Sequence, residues 1–92
     1  NYRILSVVGD SMYPIFIEGI DKLIVNVTDF DLQNGYYVVA ILKNGDGVIK
    51  KLHILENGDY ELQSINPMYA PIRQEQIERI YGVVSRSERC FL

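Results

Sequence analysis

Apolar residues in this chain come in short runs broken by polar turns, and no stretch holds a 3.6-residue apolar period for three turns. Residues 1–8 read as a short strand. Residues 22–27 (Lys-Leu-Ile-Val-Asn-Val) are apolar and β-branched, which predicts a second. Residues 36–42 form a run rich in β-formers and read as a central strand. Further strands are predicted over 48–55, 60–64 and 80–86, the last alternating only in part. Only residues 1–3 look like a remnant of a linker. The pattern predicts an all-β, mainly β domain of short strands and hairpins, either a barrel or a pair of packed sheets, with little helix.

The breaks between runs carry their own chemistry. Asn44-Gly45-Asp46-Gly47 is the strongest hairpin signal, because residues at positive φ favour Asn, Asp and Gly. Asn57-Gly58 marks a second hairpin. Asn34-Gly35 closes the connection over 28–35. Residues 11–20 form a turn region around Pro14 and Gly19, and residues 66–71 form a loop fixed by two prolines. The polar stretch 74–78 reads as a turn or one helical turn.

Composition narrows the classes. Ninety-two residues, 48% hydrophobic and 23% charged, suffice for one domain with one core. The net charge is -3 and no basic stripe is visible, which disfavours direct nucleic-acid binding, since phosphate contacts need clustered Lys and Arg. A single cysteine, Cys90, excludes an internal disulfide framework and reads as a small packing residue; a reducing compartment is expected. A single histidine, His53, excludes a multi-histidine metal site and reads as a surface residue. Asp21, Asp29 and Asp31 lack the spacing of a metal loop. No cofactor and no metal are expected. No apolar run reaches the length of a membrane span. The tyrosines Tyr36, Tyr37, Tyr60 and Tyr81 read as strand and core residues, and Tyr13 and Tyr69 as loop packing.

Two stretches could carry chemistry. Val8-Gly9-Asp10-Ser11-Met12-Tyr13-Pro14 follows the first strand and delivers a serine on a tight turn. Ser11 is either a turn residue whose hydroxyl caps a local N–H or a nucleophile. In the second case the backbone N–H groups of Asp10 and Ser11 are candidates for an oxyanion hole. Gly47-Val48-Ile49-Lys50-Lys51-Leu52 places two lysines in an apolar strand. They point to opposite faces. Val48, Lys50 and Leu52 share one face; Ile49, Lys51 and His53 share the other, which reads as the wet one. Lys50 then has apolar neighbours, and burial would push its amine towards the neutral form that accepts a proton. The alternative is that both lysines are solvated edge residues that discourage strand pairing with other chains.

Taken together and in order, Gly9-Asp10-Ser11-Met12 with Pro14, then Gly19 with Leu23-Ile24-Val25, Tyr37-Val38-Val39-Ala40, Ile49-Lys50-Lys51-Leu52, and Leu62-Gln63-Ser64-Ile65-Asn66-Pro67-Met68-Tyr69 resemble the LexA-type peptidase domain. That is the C-terminal domain of LexA, of UmuD-like proteins and of many phage repressors. The resemblance spans residues 1–92 as a single peptidase and dimerisation domain, with a LexA- and signal-peptidase-like β fold. It implies a Ser-Lys dyad, with Ser11 as nucleophile and Lys50 as base. It implies a homodimer with the C-terminal strand at the interface, and a cytoplasmic location without membrane contact. It also implies self-cleavage of an upstream hinge, promoted by a RecA filament in an SOS-type response. DNA would be bound only through an N-terminal helix-turn-helix domain outside this chain, and cutting the tether between two half-site readers would remove their avidity.

Two features depart from the family pattern. Gly19-Ile20-Asp21 carries one residue more than the family's Gly-Asp before the second strand, which leaves the equivalence of Asp21 open. No glycine follows Ala or Cys, so the family's Ala-Gly or Cys-Gly target is not in this chain. The expectation is a chain truncated after the hinge or already cut there. Three rival readings follow from the same residues: a non-catalytic dimerisation or protein-binding module, a UmuD-like protein of translesion synthesis, and a signal-peptidase relative. The Asn-Pro-x-Tyr loop argues against the last.

Overall fold

The computed structural model describes residues 1–89; Cys90 lies outside the described residues. Seven strands form one antiparallel sheet, neither closed into a barrel nor divided into two. In chain order they are β1 (Tyr2–Ser6), β2 (Asp21–Asn26), β3 (Tyr37–Leu42), β4 (Gly47–Ile54), β5 (Tyr60–Gln63), β6 (Ile72–Arg73) and β7 (Ile77–Arg89). In space the order is β1-β2-β7-β3-β4-β5-β6. Residues 1–3 are not linker: Tyr2 and Arg3 pair with Asn26 and Val25.

The last strand is much longer than its apolar residues suggest. Its first half, from Ile77, pairs with β3, and its second half, to Arg89, pairs with β2. The ladder fixes the polar tail, so hydrophobic patterning does not reveal it. Extra residues are accommodated by bulges in both ladders, which bend the strand locally. One bulge falls between Ala40 and Val39, which face Ile80 and Gly82, leaving Tyr81 unpaired. Strand β6 is only two residues long and was hidden behind Pro71. The polar stretch before β7 folds as a single 3-10 turn, Gln74–Gln76.

The hairpins β3–β4 and β4–β5 close in the same way. Leu42 and Leu55 accept the N–H of Gly45 and Gly58, and donate to the carbonyls of Asp46 and Asp59. Asn44 Oδ1 and Asn57 Oδ1 accept the N–H of Asp46 and Asp59. Gly45 and Gly58 sit at φ 95° and 90°, the left-handed position that three-residue hairpin loops require. These turns set the strand register and therefore what stands opposite Lys50.

The core lies on both faces of the central strands. Val39 joins Val7, Met12, Phe16, Leu23 and Val25. Its neighbours Val38 and Ala40 join Leu52, Leu62 and Ile77 on the other side. A strand buried on both faces reads as a continuous apolar run, as β3 does. The face of Ile49, Lys51 and His53 is accordingly not simply wet, because Ile49 packs against the first cluster. All three side chains are half-buried.

Gly82 is where β7 passes from one partner strand to the other. A Cβ there would stand 2.6 Å from the Asn26 carbonyl oxygen and 2.6 Å from Val25 Cγ1. Gly82→Ala is therefore expected to destabilise the domain by about 1–3 kcal/mol through overpacking against backbone, seen as a lower urea midpoint at unchanged slope.

Candidate active site

The serine turn is held by apolar anchors on either side of it. Val7 precedes it and Met12 and Phe16 follow, and all three are buried in the first core cluster. Between them the chain turns back through hydrogen bonds from Tyr13 N–H to the Asp10 carbonyl (3.1 Å) and from Ile15 and Phe16 N–H to the Met12 carbonyl (2.8 and 3.0 Å). Ser11 is thereby held at the surface of the core, half-buried. Among the described residues the N–H groups of Asp10 and Ser11 have no hydrogen-bond partner, so both remain available as donors.

Ser11 and Lys50 line one cleft of about 390 Å³, together with the end of β1, the β3–β4 hairpin and Tyr81. Tyr81 is also the residue that the bulge between β3 and β7 leaves unpaired. The cleft is mostly apolar, with Leu5, Val39, Ile41 and Ile49 among its walls. Lys50 is only 6% exposed. Burial alone pushes its ammonium below the ordinary lysine value, because desolvation penalises the charged form. The lysine the alternation picked out is thus the buried one, and Lys51 is not.

The amine is not hydrogen-bonded to Ser11. Lys50 Nζ donates instead to Ser64 Oγ at 2.8 Å, and it lies 5.3 Å from the centre of the Tyr69 ring. The Tyr69 hydroxyl donates to Asp10 Oδ1 at 2.6 Å. Asn66 N–H donates to the Ser11 carbonyl at 2.9 Å. Sequence reasoning assigned no site role to Ser64 or Tyr69. Ser64 was legible in principle: the Asn57-Gly58 hairpin pairs Lys51 with Gln63 and Leu52 with Leu62, and one step further along the ladder sets Ser64 against Lys50. Tyr69 had no such signal, since loop packing alone brings it back to Asp10.

Asp21, whose equivalence the extra Ile20 left open, has a structural role. Its carboxylate is buried, accepts the Ile17 N–H at 2.7 Å, and takes two hydrogen bonds from Arg89 at 2.8 and 3.0 Å. It closes the turn that leads from Ser11 into β2 and ties that turn to the far end of β7. The Arg89 guanidinium holds its pKa below the usual aspartate range. A lowered folded value means that Asp21 contributes stability above the ordinary aspartate value and loses it as the pH falls through its own. Asp21→Asn is therefore expected to melt at a lower temperature than the unmodified chain at pH near 7. That gap should close in acid, as followed by thermal unfolding across a pH series.

His53 stands outside the cleft, its Nδ1 3.2 Å from Glu61 Oε1. Among the described residues no group of three or more His, Cys, Asp and Glu side chains could hold a metal ion. None of their helices is long and apolar enough to cross a membrane.

An all-β domain that brings a turn-borne serine and a buried lysine to one cleft has the layout of a serine peptidase domain. The chain belongs to the Peptidase S24-like family, whose model matches residues 1–85, as the resemblance to LexA-type domains implied. A search of curated proteins finds no match.

Proposed function

We propose that this chain is the self-cleaving and dimerising C-terminal domain of a transcriptional repressor. The observation that carries the reading is a lysine amine buried at the wall of the cleft that also holds Ser11. In the proposed reaction neutral Lys50 takes the proton of the Ser11 hydroxyl, and Ser11 Oγ attacks the carbonyl carbon of a hinge peptide upstream of Asn1. The N–H groups of Asp10 and Ser11 hold the oxyanion. Lys50, now protonated, gives its proton to the leaving amine. Water then attacks the acyl-serine with Lys50 again as base, which releases the new carboxylate and restores Ser11. For this the amine, still donating to Ser64, must bring its lone pair up to the Ser11 hydroxyl, a tightening expected when the scissile segment fills the cleft.

The wider reading follows from the family. The domain pairs with a second copy through its C-terminal strand, acts in the cytoplasm, and responds to a RecA filament in an SOS-type response. It reaches DNA only through an N-terminal helix-turn-helix domain. The UmuD-like role differs in what the cut releases, not in this site.

The test uses a chain extended upstream through its natural hinge, incubated at about pH 10, close to the ordinary lysine pKa, with fragments read by mass spectrometry. A single cut upstream of Asn1 is expected in the unmodified chain and in Lys51→Ala, and none in Ser11→Ala. Cleavage that persists in Ser11→Ala would overturn the assignment. A dimer that never cuts would make the domain a binding module.

A further inference from the structure

One short segment, residues 64–69, touches the lysine amine twice and the serine turn twice. Ser64 Oγ accepts from Lys50 Nζ, and the Tyr69 ring faces the same nitrogen. The Tyr69 hydroxyl reaches Asp10, and Asn66 N–H reaches the carbonyl of Ser11 itself. The segment is stiff for local reasons. Asn66-Pro67-Met68-Tyr69 is a turn with proline at its second position, closed by Tyr69 N–H on the Asn66 carbonyl (3.2 Å) and by Met68 N–H on Asn66 Oδ1 (3.0 Å). Ile65 packs on the first core cluster. The two ends of the segment are thus set by the sheet register and by a turn, independently of the cleft.

A neutral lysine amine has two N–H bonds and one lone pair. A base is useful only if the lone pair, not an N–H, meets the proton to be taken. Ser64 engages one N–H, and the electron-rich face of Tyr69 lies on a second side of the nitrogen. The geometry points to residues 64–69 as the positioning element of the site. Ser64 aims the Lys50 amine so that its lone pair is left for the Ser11 hydroxyl, and Tyr69, tied to Asp10, holds the serine turn against that amine. This rests on the reading of Ser11 and Lys50 as nucleophile and base. The polar and titratable groups around the amine are Ser64 from the end of β5, Tyr69 from the loop, and Asp10 beyond the Tyr69 hydroxyl. Ser11 and Tyr81 share its cleft.

Two measurements test it. The first is the rate of self-cleavage against pH in the hinge-extended chain. The second is the titration of Lys50, followed by NMR of lysine carbon-13 labelled at Cε, in the 92-residue chain. Ser64→Ala is expected to slow the cut roughly a hundredfold, the scale of a misplaced reacting group. It should also move the Lys50 midpoint to lower pH, because the ammonium loses its acceptor. Ser64→Thr keeps the hydroxyl and should restore both. Tyr69→Phe keeps the ring and loses only the bond to Asp10; it should slow the cut about tenfold with the Lys50 midpoint unmoved.

A Ser64→Ala chain with unchanged rate and unchanged Lys50 midpoint would overturn the role of Ser64. An unmodified rate in Tyr69→Phe would overturn that of Tyr69. Should Ser64→Ala fail to fold, Ser64→Cys keeps the volume with a poor acceptor and takes its place. If the unmodified chain never cuts, the peptidase reading fails by itself, and the Lys50 titration still decides whether Ser64 governs the amine.

Discussion

Lys50→Met is expected to abolish self-cleavage and yet to leave the domain more stable than the unmodified chain at neutral pH. The loss of activity follows from losing the proposed base, about 10³-fold or more in rate. The gain in stability follows from burial. Lys50 is 6% exposed, and its ammonium is held below the ordinary lysine value by desolvation alone. Unfolding returns the amine to water and to its ordinary value. Between the two values the unfolded chain binds the extra proton, so stability rises with pH across that window and is lowest on its acid side. Methionine has similar length and no charge to desolvate. It gives up the bond to Ser64, but Ser64 is only half-buried and can turn to water. A net gain of about 1 kcal/mol is expected, in the range of changes that relieve a functional site of its strain. Urea unfolding at pH 7 checks the gain; repeated near pH 11, it should show the gain shrinking as the unmodified chain sheds its charge. A less stable Lys50→Met chain at pH 7 would mean that the amine is not held at a cost.

Leu52→Ala carries the largest expected loss of stability. Leu52 is 1% exposed and lies in the cluster formed by Val38, Ala40, Leu62 and Ile77. It also shares a face of β4 with Lys50, two residues away. Truncating a fully buried leucine costs about 2–5 kcal/mol, from lost transfer energy and from the cavity left behind. A domain of this size has little to spare, and each 1 kcal/mol lowers the melting temperature by roughly 4–8 °C. The variant should melt at least about 8 °C lower. The charged state of Lys50 should also become easier to hold, since water entering the cavity relieves its desolvation. Thermal unfolding by circular dichroism reads the first effect, and the lysine Cε resonance reads the second as a midpoint closer to the ordinary value.

The parts of the domain that the sequence made legible are those where local chemistry and tertiary structure ask for the same residues. Val38, Val39 and Ala40 are apolar because both faces of β3 are buried. Asn44-Gly45 and Asn57-Gly58 turn because the left-handed position favours glycine. Lys50 could be told from Lys51 because alternation puts it on the side of Val48 and Leu52. What stayed hidden was decided at a distance. The polar tail of β7 is a strand because β2 pairs with it, and Arg89 is fixed there by Asp21, 68 residues away in sequence. Asp21, whose family equivalence the extra Ile20 leaves open, is the buried partner in an ion pair that no local pattern announces. Tyr69 read as loop packing because nothing local tells that its hydroxyl meets Asp10. The second face of β4 read as wet because the packing of Ile49 on the Val39 cluster is a fact of the folded sheet.

The central claim is that a buried, readily neutralised Lys50 activates Ser11, and the pH dependence of the cut tests it most directly. The rate of self-cleavage in the hinge-extended chain should rise as one proton is lost, with its midpoint below the ordinary lysine value of 10.5. Ser11→Ala and Lys50→Ala should show no cut at any pH, and Lys51→Ala should reproduce the unmodified profile. A cut that survives in Lys50→Ala, or a rate that does not change with pH, would contradict the account.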